Sequence, residues 1–167
     1  MVAIEAGSDL EQLYQTSYHS LLRLAVLLTG DRGAAEDAVQ DAFVGFWRRV
    51  DALDNPAAAK GYLRTAVVNN SRSVLRRRRT ANRHLKDLHP GDHPGADQAI
   101  LADARDRQLR SAVAELPRRQ REVVVLRYWS ELSLAEVAET LGVSVGTVKS
   151  SASRALDRLQ QSLGGSR

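Results

Sequence analysis

The chain has 167 residues, of which 43% are apolar and only 5% aromatic, enough for one ordinary domain or two small ones with aliphatic cores. It has no cysteine, which excludes a disulfide framework and a cysteine-ligated zinc site. The N-terminal residues lack the pattern of a secretory signal, and no apolar run is long enough to span a bilayer. We therefore expect a cytoplasmic protein without membrane insertion.

The net charge of +4 is modest, but it is unevenly distributed along the chain. From Lys60 to Lys86 there are nine Lys or Arg and no Asp or Glu, whereas the remaining 15 basic residues are outnumbered by 20 acidic ones. One segment thus carries the whole positive excess, which is typical of a surface that binds a polyanion. The alternative is a solvated, arginine-rich helix end.

Apolar residues recur at intervals of three and four, and no segment alternates as a strand would, so the sequence predicts an all-α fold. A first helix is predicted over 9–29, behind a capping box of Ser8 and Glu11. A second is predicted over 34–50, with a strong amphipathic stripe.

Asn55 and Pro56 are typical of the N-cap and first position of a third helix. Its packed part is expected to end near Leu75, because Arg77 would point into the apolar arc. Five basic residues are expected to share an arc away from the apolar face: Lys60, Arg64, Arg72, Arg76 and Arg79.

Residues 83–102 are predicted to form a flexible linker, since they contain prolines and glycines and little apolar content. The prediction is therefore two small helical domains, at 9–82 and 103–163, joined by this linker. In the second domain, helices are predicted over 103–114, from Pro117 to Trp129, over 134–141 and over 145–163.

The last two predicted helices form the most specific local pattern, a helix-turn-helix. Ser133 and Glu136 form a capping box before the first of them, and Gly142 lies in the turn. The free face of the final helix carries small hydroxyl groups, which suit close approach to base edges, and two cations, which suit phosphates. These residues are Thr147, Lys149, Ser150, Ser151, Ser153 and Arg154. The alternative is a plain helical hairpin with a solvated face.

Two further segments contain candidate binding residues. Near the start of the basic segment, Tyr62 is placed either to stack on an unpaired base or to pack in the core, and Asn69 and Asn70 have groups that read bases. On the second helix, Asp37 and Asp41 belong to an acidic outer face, interpreted either as a protein-docking surface or as a solvated face.

No catalytic constellation is evident, and we predict neither a metal site nor a cofactor. His84, His89 and His93 cluster in the predicted linker without partners at fixed geometry. A helical nucleic-acid enzyme would need metal ligands beside the basic helix, and the basic segment offers only His84.

Four segments carry a family resemblance: residues 35–43 (AEDAVQDAF), 62–77 (YLRTAVVNNSRSVLRR), 116–128 (LPRRQREVVVLRY) and 134–155 (LAEVAETLGVSVGTVKSSASRA). The first two resemble region 2 and the last two region 4 of the sigma-70 family of bacterial transcription-initiation factors, in the family's order. Since only regions 2 and 4 are present, the chain resembles the minimal, extracytoplasmic-function (ECF) class. This resemblance implies a non-enzymatic protein that binds core RNA polymerase and directs it to promoters.

The resemblance also implies a role for each candidate set. The residues implied to dock on the coiled coil of the polymerase β′ subunit are Asp37, Gln40, Asp41, Phe43 and Trp47. Those implied to melt and read the promoter −10 element are Lys60, Tyr62, Arg64, Asn69, Arg72, Arg76 and Arg77. Those implied to read the −35 element are Thr147, Lys149, Ser150, Ser151, Ser153 and Arg154. The helices between Pro117 and Trp129 are implied to lie near the flap of the β subunit.

Members of the family differ in how they are regulated, and this chain departs from the family pattern at two positions. Many members of the family are held by an anti-sigma factor, and others are controlled by transcription. The family often has Asp at the position of Ser73 and Arg at the position of Ser151, so the reading helix here lacks one long cation. The rival hypothesis is a polymerase-independent regulator that uses only the helix-turn-helix and binds palindromes as a dimer.

Overall fold

A computed structural model describes residues 8–49, 55–84 and 104–165, which are helical and contain no strand. The chain divides into two compact units, Met1–His89 and Pro90–Arg167. The helices of the first unit are α1 (Ser8–Thr29), α2 (Arg32–Trp47) and α3 (Pro56–His84). Those of the second are α4 (Ala104–Glu115), α5 (Arg118–Val124, continued as a π-helical turn over Val125–Trp129), α6 (Leu134–Leu141) and α7 (Val145–Gly164).

Side-chain caps set the helix starts in the first unit. Gly30 adopts the left-handed conformation (φ +72°) after α1, and Asp31 then caps α2 by accepting a 2.7 Å hydrogen bond from the backbone N–H of Ala34. The Asn55 side chain accepts from the N–H of Ala58 at 2.7 Å, as predicted for the N-cap of α3. The turn at Gly30 therefore separates α1 from α2, and the Asp31 and Asn55 caps set where α2 and α3 begin.

The three helices pack pairwise around an aliphatic core with one fully buried aromatic ring, Phe46. The amide of Asn70 on α3 donates to the carbonyl of Ala38 on α2 at 3.0 Å and fixes their register. The buried apolar side chains are Leu10, Leu21, Leu24, Ala25, Leu28, Ala34, Ala35, Ala38, Val39, Ala42, Phe46, Ala59, Leu63, Val67, Val68 and Val74.

Two boundaries in this unit differ from the predicted ones. Helix α2 begins at Arg32 rather than near residue 34, because Asp31 is its cap. The burial of α3 ends at Val74, near the predicted residue, but the helix continues to His84. The predicted linker, 83–102, thus begins inside α3, and its residues from 85 onward lie outside the described residues.

The second unit shows the predicted capping box. The Ser133 hydroxyl accepts from the N–H of Glu136 at 3.2 Å, and the Glu136 carboxylate accepts from the N–H of Ser133 at 2.8 Å. Gly142 is left-handed (φ +65°) and ends α6, and Ser144 caps α7 by accepting from the N–H of Thr147 at 3.1 Å. These local rules fix the turn between α6 and α7.

The core of the second unit is also aliphatic and brings α4, α5 and α6 against α7. The π-helical turn is defined by a 3.1 Å hydrogen bond from the N–H of Ser130 to the carbonyl of Val125, five residues back. The buried apolar side chains are Ala112, Val113, Leu116, Val123, Val124, Val125, Leu126, Leu132, Val137, Ala138, Leu141, Val148, Ala155 and Leu159. In the part of the chain that the structure describes, no helix is long and apolar enough to cross a membrane.

Candidate functional site

The outer face of α2 carries the acidic residues singled out from the sequence. Asp37, Gln40 and Asp41 are exposed and, at spacings of three and four, lie on one side of the helix. They form one wall of a groove of about 380 Å³. The opposite wall belongs to α3 and includes Arg77 and Arg78. The acidic face is therefore the side of a mixed-charge groove and not an isolated surface.

The aromatic residues of α2 lie beside a second, apolar groove. Phe43, Val44 and Trp47 line a groove of about 610 Å³ together with Leu10 and Tyr14 of α1. The Phe43 ring packs at a tilt against that of Tyr14, with 4.9 Å between the ring centroids, while the Trp47 side chain is 64% exposed. The five predicted docking residues thus divide between an acidic wall and an apolar groove on neighbouring sides of one helix.

One of the groove-lining arginines, Arg78, forms an ion pair between α3 and α2. Arg78 of α3 donates to the carboxylate of Asp31, the α2 cap, at 2.7 Å, and the Asp31 side chain is largely buried. The hydrogen bond from the Ala34 N–H and the guanidinium of Arg78 together hold the pKa of Asp31 below its ordinary value, against the opposing effect of burial. The pair fastens the C-terminal half of α3 to the start of α2.

Three of the basic-segment residues share one face of α3. Asn69, Arg72 and Arg76 follow each other at spacings of three and four, and Arg72 donates to the Asn69 side chain at 3.4 Å. Arg76 donates to the hydroxyl of Ser73 at 3.5 Å. Two cations, an amide and a hydroxyl therefore form a polar strip that suits a nucleic-acid strand.

The predicted single basic arc is interrupted by Val68. This side chain lies one helical turn from both Arg64 and Arg72, and it is fully buried. Lys60, which is exposed, and Arg64, which is half-buried, thus lie at the N-terminal end of α3, separated from the strip of Asn69, Arg72 and Arg76. α3 is buried over a wider arc than its apolar stripe indicated, because it packs against both α1 and α2.

The remaining candidates on α3 separate as well. Tyr62 is half-buried and packs on Phe46, with 5.9 Å between ring centroids. The Asn70 side chain donates to the Ala38 carbonyl and so joins α3 to α2. Arg77, expected among the −10 residues, lines the groove beside Asp37 and Asp41.

The final helix, α7, presents the predicted reading face. Val148, Ala155 and Leu159 are buried against the rest of the unit, and Ala152, predicted inward, is half-buried. Of the six predicted contact residues, Ser151 is half-buried and five are exposed: Thr147, Lys149, Ser150, Ser153 and Arg154. The structure therefore brings them together on the free side of the second helix of a helix-turn-helix.

Two of the hydroxyls on this face already have internal partners. The Thr147 hydroxyl lies 2.9 Å from that of Ser144 in the N-terminal cap. The Ser150 hydroxyl donates to the carbonyl of Thr147 at 3.1 Å. In this state the Ser150 oxygen keeps its lone pairs as acceptors, so it suits an amino group rather than a phosphate.

Residues 13–81 match the family described as Sigma-70 region 2, and residues 106–159 match the one described as Sigma-70, region 4. The chain belongs to the sigma-70 family. Known relatives place this sigma factor in the ECF class. It is 35% identical over 160 residues to RNA polymerase sigma-E factor of Streptomyces avermitilis, which covers 93% of the chain and 85% of the relative. It is 35% identical over 159 residues to ECF RNA polymerase sigma factor SigM of Mycobacterium tuberculosis, covering 92% and 76%.

Solved structures agree with this assignment. The sigma factor RpoE of Bartonella quintana, solved in complex with the anti-sigma factor NepR, has 28% identity and a TM-score of 0.78, covering 95% of this chain and 99% of the other. CnrH, solved with the cytosolic domain of CnrY, has 26% identity and a TM-score of 0.70, covering 99% and 96%. The two-domain helical fold is therefore that of a sigma factor, which binds core RNA polymerase and directs promoter-specific initiation.

Several surface residues of the sigma factor were not found from the sequence. Val44 is exposed beside Trp47, and Tyr128 and Trp129 are exposed at the end of the π-helical turn. Ordinary helical periodicity places apolar residues inward, and a π-turn shifts that register by one residue, so the exposure of Tyr128 and Trp129 was not predictable from periodicity. The Asp31 cap had a signal, an acidic residue directly before a helix, that the predicted boundary missed.

The predicted histidine cluster falls mostly outside the described residues. Among the described residues, no group of three or more His, Asp or Glu side chains is placed to hold a metal ion. His84 lies at the end of α3, while His89 and His93 lie outside the described residues.

Proposed function

We propose that this sigma factor uses three separate surfaces: the outer face of α2 for core RNA polymerase, α3 for the −10 element and α7 for the −35 element. The observation that carries the proposal is the exposed hydroxyl and cationic face of α7, the second helix of a helix-turn-helix. We assign the first domain to residues 9–84, through the end of α3, and the second to residues 103–163. The protein acts in the cytoplasm as a binding factor without a catalytic step of its own.

Docking on polymerase is assigned to Asp37, Gln40, Asp41, Phe43 and Trp47. The apolar groove beside Phe43 and Trp47 supplies area that is released from water on binding, and the exposed aromatic ring of Trp47 is the side-chain type that dominates interface energies. The exposed carboxylates of Asp37 and Asp41 then fix the register of a basic partner segment.

Recognition of the −10 element is assigned to the polar strip of Asn69, Arg72 and Arg76, with Lys60 and Arg64 holding phosphates at the N-terminal end of α3. Tyr62 is half-buried on Phe46, so it presents only part of its ring for stacking on an unpaired base.

The −35 element is assigned to α7. Lys149 and Arg154 neutralise phosphates, and Ser153 approaches base edges in the major groove. Because the Ser150 proton is donated to the Thr147 carbonyl, Ser150 accepts from the amino group of adenine or cytosine. Ser151, half-buried, lies at the edge of this surface.

The remaining partners are the polymerase flap and an anti-sigma factor. Tyr128 and Trp129 form an exposed aromatic pair at the end of the π-helical turn, and they suit an apolar element such as the β flap. The similar sigma factor of Bartonella quintana was solved in complex with an anti-sigma factor, which supports a partner of this class here.

Run-off transcription tests the proposal. Core RNA polymerase with this protein on genomic promoter fragments is expected to produce discrete new start sites that vanish with Asp37→Arg or Asp41→Arg. Asp106→Arg, the same charge change on an exposed residue of α4, is the control and is expected to leave the start sites in place.

The rival assignment is a polymerase-independent regulator. That rival would be favoured if no mixture produced start sites and the free protein bound duplex DNA tightly as a dimer. The α2 face would then be a solvated surface.

A further inference from the structure

The groove between α2 and α3 has two walls of opposite charge. On α2 the lining residues Asp37, Gln40 and Asp41 form one row. On α3 the lining residues are Val74, Arg77, Arg78 and Ala81, which recur at spacings of three and four and form the facing row. The groove thus lies between a row of side chains on α2 and a facing row on α3.

The two arginines of the groove differ in how they are held. Arg78 is bonded to Asp31 at 2.7 Å. Arg77 is exposed, and within the described residues no hydrogen bond or ion pair joins it to Asp37 or Asp41. A cation that is held beside two carboxylates without pairing to them is available to an acidic group from outside.

The neighbouring arginine, Arg76, lies on a different side of the helix. Consecutive residues are about 100° apart on an α-helix, and Arg76 belongs to the strip with Asn69 and Arg72. Arg76 and Arg77 therefore have the same charge and exposure but face different surfaces.

We propose that Arg77 is a polymerase contact and not a −10 contact: the polymerase segment that docks on Asp37 and Asp41 fills the groove and meets Arg77 with an acidic side chain. This inference rests on the proposed docking role of α2. The occupant follows from charge complementarity, because a segment with a basic residue toward α2 and an acidic one toward α3 satisfies both walls.

The test measures the affinity of the full-length protein for core RNA polymerase without DNA, by fluorescence anisotropy of a labelled sigma factor. Arg77→Ala and Arg77→Gln are expected to weaken binding roughly twofold to fivefold, the range of a partly exposed charge contact. Arg79→Ala, an exposed arginine of α3 outside the groove lining, is the matched control and is expected to bind as the wild type does. Arg76→Ala is expected to act instead on binding of the assembled holoenzyme to −10 DNA.

The sign of the effect separates the inference from its alternatives. If Arg77 only balanced the carboxylates of Asp37 and Asp41, its removal would leave core binding unchanged or tighten it, and the inference would be wrong. If the Arg77 variants lost binding to −10 DNA while their affinity for core polymerase was unchanged, Arg77 would be a −10 contact after all. If Asp41→Arg itself left core binding intact, the proposed docking face would fail, whatever Arg77 does.

Discussion

Two adjacent asparagines of α3 show how neighbouring side chains acquire different roles. Asn70 donates to the Ala38 carbonyl and joins α3 to α2, whereas Asn69 is exposed beside Arg72. We expect Asn70→Ala to lower the free energy of unfolding by about 1 kcal/mol, since it removes the hydrogen bond that joins α3 to the Ala38 carbonyl of α2. Asn69→Ala is expected to leave stability unchanged.

The measurements for this pair are thermal unfolding and open-complex formation. Asn69→Ala is expected to reduce opening at the −10 element while its unfolding midpoint matches the wild type. Equal destabilisation by both substitutions would contradict the separation of roles.

The ion pair of Asp31 with Arg78 gives the first unit a defined pH dependence. A carboxyl with a lowered pKa in the folded state contributes stability above its unfolded pKa of about 3.9, and this contribution is lost as the pH falls through the folded value. Asp31→Asn keeps a cap but loses the charge. We expect it to lower the unfolding midpoint at pH 7 and to approach the wild type below about pH 4.

Unfolding scans of both proteins from pH 3 to 7 check this expectation. Arg78→Gln removes the partner and is expected to give the same trend. A destabilisation by Asp31→Asn that stays constant across this range would show that the charge contributes nothing.

At the residue scale, the sequence predicted the chemistry better than the geometry. The exposed face of α7 was predicted because its apolar positions follow one helical period. The burial of Val68, by contrast, depends on α3 packing against two helices at once. A period read along one helix does not contain that information.

At the scale of elements, the caps were the most predictable feature. The Ser133 and Glu136 capping box and the Asn55 cap involve residues three apart, so their signal is local. The π-helical turn at Val125–Trp129 was not predicted, because its extra residue depends on the packing of α5 against α7 and of the turn itself against α6. The local sequence therefore determines where these helices begin, whereas tertiary packing determines the π-helical turn.

Two glycines near the helix-turn-helix turn are expected to respond oppositely to alanine. Gly142 has φ +65°, so Gly142→Ala is expected to lower the free energy of unfolding by about 1 kcal/mol. Gly146 is helical, and an added Cβ would meet only the Ser144 hydroxyl at an ordinary 3.8 Å, so Gly146→Ala is expected to raise it by about 0.5 kcal/mol.

Chemical denaturation monitored by circular dichroism measures both changes in the full-length protein. The shared substitution makes each variant the control of the other. Destabilisation by both would mean that the first turn of α7 needs glycine for a reason other than its φ angle.

At the scale of the whole molecule, two small helical domains were predicted from the change in composition around the prolines and glycines after α3. Separate family models match residues 13–81 and 106–159. The exact end of α3 was not predictable, because exposed arginines are compatible with helix and coil alike.

The proposed assignment of phosphate contacts to Lys149 and Arg154 of α7 predicts how salt acts on promoter binding. Each phosphate contact that is lost is expected to lower the magnitude of the slope of log K against log salt by about 0.9. Arg154→Ala and Lys149→Ala are each expected to do so for holoenzyme bound to a −35 duplex, whereas Ser153→Ala should change affinity without changing the slope. Binding titrations across KCl concentrations measure the slopes. An unaltered slope for both cation variants would show that Lys149 and Arg154 do not contact phosphates.

The chain has two tryptophans, and the structure places one in each unit. Trp47 borders the apolar groove of α2, and Trp129 ends the π-helical turn, both with exposed side chains. A Trp129→Phe variant therefore leaves an emission signal from the α2 face alone, and Trp47→Phe leaves one from the π-turn alone. The order in which the two units engage a partner can thus be followed by stopped-flow fluorescence of an unlabelled protein.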